Sequence, residues 1–328
     1  MKLKVTKTFL KIKIRILTNN LNIYINKTKE NWIVDRLREE FTENNRDIVT
    51  SSVTFSNLIW IFSPWTWNQV RKSKLKKNKV LCTIHHIDES KFDSEEKNKF
   101  YDRDHYVDAY HVNSPITKEQ VQKLTNKKIY YIPFWIDEKK WSTNDDRSSL
   151  FKKFEIPNDS YIIGSFQRDS EGHDVRLPKL SKGPDQFIEI VKNYNEKHKN
   201  NLLVILTGKR RDYLINELNI SNIRYKYFEM VDQKKLNDLY NLLDLYIVSS
   251  RFEGGPFAIY ECAVTKTPLI STDVGIANLI LPEESIFNMK NYENAKPNVE
   301  FAYKQIKNYS SKKIMPEFIK MFDDIYEN

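Results

Sequence analysis

The sequence predicts an α/β protein of two domains, each a mostly parallel sheet with helices on both faces. Three observations carry this. The chain has 328 residues and 40% hydrophobic content, enough for two cores of ordinary size. Short β-branched apolar runs alternate with helical stretches, the pattern of a parallel sheet. The two halves also differ chemically. Residues 1–150 carry 28 Lys and Arg against 19 Asp and Glu, residues 151–328 carry 25 against 25, and all seven glycines lie at or after Gly164.

In the first half, residues 1–29 hold eight basic residues and no acid, and Lys11-Ile-Lys-Ile-Arg-Ile-Leu17 alternates as a first strand would. Glu30 to Asn44 predicts a helix with Trp32, Leu37 and Phe41 on its apolar face. Asn57–Phe62, Lys79–Ile84 and Ala109–Asn113 predict buried strands, the second ending at His85-His86. Ser114-Pro115 opens a helix over Ile116–Leu124, and Lys128–Pro133 predicts the closing strand. A polar connection follows, with Pro133 and Pro157 at its ends. The expected boundaries are a first domain over 1–142, a linker over 143–159, a second domain over 160–312 and a last helix over 313–328.

The second half repeats the alternation. Ser160–Phe166, Leu202–Gly208, Ile223–Phe228 and Leu242–Val248 predict strands. Helices are expected from Lys182 to about His198, over Arg211–Leu218 and over Lys234–Leu243. Val299 to Tyr326 reads as helices.

Several classes are excluded at this level. No apolar run approaches the length of a membrane span. Lysines interrupt the basic N-terminus, which makes it a poor secretory signal. Cys82 and Cys262 fall in different domains, so a reducing cytoplasm is expected rather than a disulfide. No Cys/His cluster has zinc spacing. Asp102-Arg-Asp104 lies in the charged stretch Glu95–Asp108 and reads as a solvated face, so no metal is expected.

The second domain is organised around residues 248–263, Val-Ser-Ser-Arg-Phe-Glu-Gly-Gly-Pro-Phe-Ala-Ile-Tyr-Glu-Cys-Ala. They read as a strand end, a tight turn and a helix. Gly254 and Gly255 permit backbone angles closed to other residues, and Pro256 suits the first helical position. A turn with backbone N–H groups at a helix N-terminus is an anion site. Glu253 in the turn and Glu261 two turns into the helix cannot bind phosphate, but they accept hydrogen bonds from hydroxyls. Phosphate donors beside hydroxyl acceptors suit a nucleotide sugar.

This stretch resembles the E-x7-E signature of retaining glycosyltransferases of the GT-B fold, family-4 type, and Thr267-Pro-Leu-Ile-Ser-Thr-Asp-Val-Gly275 is similar to the strand that follows it there. The resemblance implies two Rossmann-like domains facing a cleft, with a C-terminal helix crossing back to the first. It also implies transfer of a sugar from a nucleoside diphosphate sugar, of UDP or GDP type, with retention of anomeric configuration. The acceptor would be a glycan, a lipid-linked molecule or another hydroxyl compound, and no separate cofactor is implied. Glu261 would bind ribose hydroxyls. Glu253, the Gly254-Gly255 backbone and Phe257 would line the sugar side.

The tract Gly164-Ser-Phe-Gln-Arg168 with Lys179-Leu-Ser-Lys182-Gly183 is similar to the family's diphosphate-binding segment. The usual arginine after the glycine is Ser165, so Arg168, Lys179 and Lys182 are the candidates for stabilising a departing diphosphate. Thr83-Ile-His85 looks like the family's T-x-H, whose histidine faces the transferred sugar; this makes His85 the first domain's catalytic candidate. The first domain departs from many relatives in having no glycine-rich loop. Ile132-Pro-Phe-Trp-Ile-Asp137 departs too, with Phe134 and Trp135 replacing Asn-Gly.

Trp60, Phe62, Trp65 and Trp67 precede Arg71, Lys72, Lys74, Lys76, Lys77 and Lys79. That arrangement suits peripheral contact with an anionic membrane, or a core strand followed by a solvated helix. The alternatives to transfer are a binding-only relative and an epimerase or phosphorylase on the same fold. A basic nucleic-acid-binding protein is disfavoured, because the charge excess sits away from the nucleotide-sugar motifs.

Overall fold

The computed structural model describes residues 21–29, 33–144, 146–172, 174–198 and 201–327. The alternation expected over 11–17 and the expected contribution of Trp32 lie outside them. The chain forms two compact units, one running up to Ile132 and resuming from Met315, the other Pro133–Ile314.

In the first unit the described strands are β1 (Ile23–Ile25), β2 (Val49–Thr50), β3 (Leu58–Ile61), β4 (Lys79–Ile84), β5 (Ala109–Val112) and β6 (Lys128–Tyr131). They form one sheet in the order β2-β1-β3-β4-β5-β6, parallel throughout. Parallel strands covered on both faces read as continuous apolar runs, and β3 and β5 are buried at every position. The connections include α1 (Ile33–Asn44), the short α2 (Lys72–Leu75), α3 (Ser94–Asp104) and α4 (Pro115–Gln122). Asp93 caps α3 through the amide of Glu96 at 3.0 Å, and Ser114 caps α4 through that of Thr117 at 3.2 Å. Each cap satisfies an N–H that the helix cannot.

In the second unit a short helix α5 (Arg147–Lys153) precedes β7 (Tyr161–Ser165). The 143–159 stretch, read as a linker from its polarity, carries Leu150, Phe151, Phe154 and Ile156 into this unit's core. Over Leu150–Ile156 these apolar residues alternate with the exposed Lys152, Lys153 and Glu155, a spacing that an average over the segment conceals. Then come α6 (Pro184–Lys197), β8 (Leu202–Thr207), α7 (Asp212–Ile220), β9 (Arg224–Phe228), α8 (Gln233–Leu242) and β10 (Leu245–Val248). They are followed by α9 (Phe257–Thr265), β11 (Leu269–Thr272), α10 (Ala277–Ile280), β12 (Ile286–Phe287) and α11 (Val299–Ile306). The sheet order is β12-β11-β10-β7-β8-β9, again parallel.

Phe134 and Trp135 are buried, at 3% and 0% exposure. Beside them Ile136 pairs with Ser310, and the amide of Ser311 donates to its carbonyl at 2.9 Å. The chain therefore enters and leaves the second unit side by side. The last helix, α12 (Ser311–Glu327), belongs from Met315 onward to the first unit. Phe318 and Phe322, one turn apart on its apolar face, pack on Trp60 with ring centroids 5.4 and 5.1 Å away. No helix among the described residues is long and apolar enough to cross a membrane.

Candidate functional site

Strand order locates the site. In the second sheet, β8 and β9 lie on one side of β7, and β10, β11 and β12 on the other. Successive connections therefore diverge between β7 and β10, and ligands of open α/β sheets bind at the carboxyl ends of strands at such a switch point. The loops leaving those ends run from Phe166 to Lys182 and from Ser249 to Pro256. They contain Arg168, Lys179, Lys182, Glu253, Gly254 and Gly255.

The two loops are locked together. The amides of Arg251 and Phe252 donate to the carbonyl of Ser181 at 2.8 and 3.1 Å. The Ser249 hydroxyl donates to the Gly183 carbonyl at 2.8 Å, and the Gln186 amide to the Ser249 carbonyl at 2.6 Å. Arg251 binds Asp185 through both guanidinium nitrogens at 2.7 and 2.6 Å, which holds the Asp185 carboxyl below its ordinary range against the opposing effect of burial. Gly183 has φ +59°, and a Cβ there would stand 1.8 Å from the Ser249 carbonyl. Only glycine permits this approach.

At the centre the Lys182 ammonium is paired with the Glu253 carboxylate, their side chains 21% and 9% exposed. The Ser250 hydroxyl donates to the same carboxylate oxygen at 3.2 Å. Gln167 bridges the loops, its amide N–H donating to the Lys182 carbonyl at 3.1 Å and its oxygen accepting from Ser250 at 3.5 Å. Sequence reasoning missed Gln167 and Ser250; neither residue type announces a role at this spacing. Arg168 donates to the carbonyl of Ser170 at 2.8 Å, and the Lys179 amide donates to that of Asp169 at 2.7 Å. Both basic side chains are half-buried on the same loop.

Gly254 and Gly255 do not adopt left-handed angles. Those angles fall at Gly172, Gly183, Gly208 and Gly275 among the described glycines. The close approach constrains Gly275 instead: a Cβ on it (φ +58°) would lie 2.7 Å from the Gly254 carbonyl carbon and oxygen. The tight approach is between two turns that are distant in sequence. Pro256 is the cap of α9 rather than its first residue, with ψ 113°, and Phe257 is that first residue.

Glu261 is 6% exposed, and its Oε2 accepts the Tyr240 hydroxyl at 2.6 Å. Burial, reinforced by the Glu261 charge, raises the Tyr240 pKa well above the ordinary phenol value, so Tyr240 remains a donor and fixes the carboxylate.

Arg211, unremarked in the sequence, is fully buried between the β7 and β8 loops. It pairs with Asp169 at 2.7 Å and donates to the Ser165 carbonyl at 2.8 Å and hydroxyl at 3.1 Å. Ser165 takes the place where the resembled family carries its arginine, and a guanidinium reaches it from another loop. With no exposed surface, this guanidinium braces the loop beneath the site.

His85 belongs to the first unit. Its Nε2 donates to the Phe62 carbonyl at 2.9 Å, which leaves Nδ1 as the acceptor of the neutral ring. Burial pushes its pKa down to about 4, so the ring is neutral at physiological pH. Trp67, grouped with the exposed aromatics from sequence, is turned inward and stacks on Tyr106 at 5.5 Å with Lys72 over the same ring. Trp65 is 52% exposed. Asp104 accepts from Tyr110 at 2.8 Å and pairs with Lys127. Among the described residues no group of three His, Cys, Asp or Glu could hold a metal.

Residues 175–310 match the family "Glycosyl transferases group 1". No curated protein sequence matches the chain significantly. Among solved structures, the chain is similar to HepE of Anabaena in complex with UDP and glucose, with 11% identity over 92% of this chain and 98% of that one and a TM-score of 0.74. It is similar to sucrose-phosphate synthase of Thermosynechococcus elongatus, with 14% identity, coverages of 92% and 81% and a TM-score of 0.66. A glycosyltransferase of Rickettsia africae gives 14%, 92%, 84% and 0.61. The chain thus has the two-sheet GT-B fold of these glycosyltransferases, and residues 175–310 of its second unit, which include Lys179, Lys182, Glu253 and Glu261 but not β7, match the glycosyl transferases group 1 family.

Proposed function

We propose that the protein is a glycosyltransferase that moves a sugar from a nucleoside diphosphate sugar to a hydroxyl acceptor with retention of configuration. The observation that carries this reading is the Lys182–Glu253 pair at the β7/β10 switch point. A cation and a carboxylate, held on interlocked loops, stand where one would meet a diphosphate and the other a sugar hydroxyl. The complexes of HepE with UDP and with UDP-glucose favour UDP as the nucleotide.

In this reading Lys182 exchanges its carboxylate for the donor diphosphate. Arg168 and Lys179 add charge from the same loop. The released Glu253 accepts hydrogen bonds from the sugar, against the Gly254-Gly255 backbone and Phe257. Glu261, aimed by Tyr240, takes the ribose hydroxyls. The bond from the anomeric carbon to the diphosphate breaks with its electron pair leaving on oxygen. The acceptor oxygen bonds the same face of that carbon, and its proton passes to the departing phosphate. The family resemblance assigns His85 a hydrogen-bonding role toward the transferred sugar, and burial keeps its ring neutral. The test is release of the matching nucleoside diphosphate from a panel of UDP-, GDP- and ADP-sugars with mixed saccharide and polyprenyl acceptors. Acceptor-dependent release from one donor class is expected. Release that needs no acceptor, or isomerisation of the donor, would favour a different reaction on the same fold.

A further inference from the structure

The loop that carries Arg168, Lys179 and Lys182 is fastened from below by residues 208–211, the turn after β8. Two of those four residues have left-handed backbone, Gly208 at φ +91° and Arg210 at φ +59°. A residue with a side chain rarely adopts that conformation. Here it turns the Arg210 carbonyl toward the neighbouring loop. That oxygen accepts the Asp169 amide at 3.2 Å, the Ser170 amide at 3.3 Å and the Ser170 hydroxyl at 3.0 Å. The next residue, Arg211, runs its guanidinium under the same loop. It donates to the Asp169 carboxylate at 2.7 Å, to the Ser165 carbonyl and hydroxyl at 2.8 and 3.1 Å, and to the Thr207 carbonyl at 3.0 Å. The Tyr246 hydroxyl accepts the Phe166 amide at 2.9 Å.

The Arg211 and Asp169 side chains are 0% and 2% exposed. A buried ion pair gives up about as much solvation as the pairing returns, and apolar residues of similar volume often serve stability as well or better. What apolar residues cannot do is fix four oxygens drawn from the ends of β7 and β8 and from the loop between β7 and α6. The two residues held most firmly are also the ones that join the loop's cations. The Asp169 carbonyl accepts the Lys179 amide at 2.7 Å, and Arg168 is the residue before it. Ser170 pairs with Pro178 across the loop, and its carbonyl accepts the Arg168 guanidinium at 2.8 Å. The pairing has a second consequence. A carboxylate at 169 without Arg211 would attract Arg168 and Lys179 itself, in competition with a phosphate.

We propose that Arg211 and Asp169 are positioning residues of the donor site: as a buried pair they set where Arg168 and Lys179 stand, and so make the site select a diphosphate over a monophosphate. The proposal rests on reading this loop as the diphosphate side of a nucleotide-sugar site. Calorimetry of the full chain with UDP, GDP and ADP identifies the diphosphate it prefers, and the matching monophosphate is titrated beside it. The main variant is Arg211→Met combined with Asp169→Leu, which removes both charges and keeps most of the buried volume. It is expected to keep the wild-type melting temperature. Its affinity for the diphosphate falls about tenfold or more, while that for the monophosphate changes by less than about twofold. Arg211→Lys leaves a charge for Asp169 but has no planar fork to reach Ser165 and Thr207 at once. It loses part of the diphosphate preference, and it carries the test if the double variant does not fold. A diphosphate preference intact in either folded variant overturns the proposal and leaves the nucleotide site standing. An equal loss of diphosphate and monophosphate overturns it too, since the pair would then support the whole unit. Wild-type protein that binds none of the three diphosphates, or that binds diphosphate no better than monophosphate, contradicts the nucleotide-sugar reading and the proposal with it.

Discussion

Replacing Lys182 by alanine probes the site most sharply, because two effects of the same sign meet there. In the free protein the Lys182 ammonium is paired with Glu253, whose side chain is only 9% exposed. Without it, the hydrogen bond recorded for that carboxylate is the one from Ser250 at 3.2 Å. A carboxylate left unpaired when deeply buried costs about 3–5 kcal/mol; the 21% exposure of Lys182 reduces this to about 1–3 kcal/mol. For a unit of this size that lowers the melting temperature by about 5 °C. During transfer, negative charge grows on the departing diphosphate, and loss of a positioned cation there is worth about 3 kcal/mol, or about a hundredfold in kcat. The bare Glu253 charge also repels the incoming diphosphate, so the donor KM rises as well. Initial rates at saturating donor, with a thermal melt on the same preparation, separate the effects. Lys182→Arg keeps the charge and recovers part of the rate. Activity of Lys182→Ala within about threefold of wild type would refute the reasoning and leave Lys182 as a structural partner of Glu253.

Three further outcomes follow from the same geometry. Glu261→Ala raises the donor KM with kcat unchanged, because ribose contacts persist from ground state to transition state; steady-state kinetics read the split, and an unchanged KM removes the ribose role. Gly275→Ala places a Cβ 2.7 Å from the Gly254 backbone at φ +58°, which costs about 2 kcal/mol or more in chemical denaturation; an unchanged midpoint would show that the two turns part easily. His85 and His111 are held neutral by burial, with pKa values pushed down to about 4 and about 3. The unfolded chain therefore binds up to two more protons than the folded one below the ordinary histidine pKa. Their contribution is fully present above about pH 6.5 and is lost as pH falls toward 4, by at most about 2.7 kcal/mol per pH unit. Urea midpoints across that window check this, and His111→Gln should flatten the slope.

How much was legible follows from how local each feature is. The strand Lys79–Ile84 is legible to the residue, because Val80–Ile84 are buried and all but Thr83 of them are apolar, as in a parallel strand covered on both faces. The 250–261 turn and helix were legible because glycines, proline and acids sit in one register. Arg211 was not: its partners Asp169 and Ser165 are 42 and 46 positions away, and nothing local marks a buried arginine. The left-handed angle that Gly254-Gly255 would permit falls instead at Gly275, on the turn after β11, where the nearby Gly254 backbone leaves no room for a Cβ. Residues 143–159 were misjudged by average polarity, although Leu150, Phe151 and Phe154 already had helical spacing. The hydrogen-bonded chain of Trp60 Nε1 to Thr83 Oγ1 at 2.8 Å and on to His111 Nδ1 at 3.0 Å spans three strands and shows no trace in sequence order.

Calorimetric titration of UDP into the full chain, the wild type beside Lys182→Ala and Glu261→Ala, tests the central claim most directly. The account predicts one saturable site in the wild type, weakened about tenfold or more by each substitution, since each removes a charged or charge-assisted contact to the nucleotide. Wild-type protein that binds none of UDP, GDP and ADP, or UDP binding indifferent to both substitutions, would contradict a nucleotide-sugar site at the ends of β7 and β10.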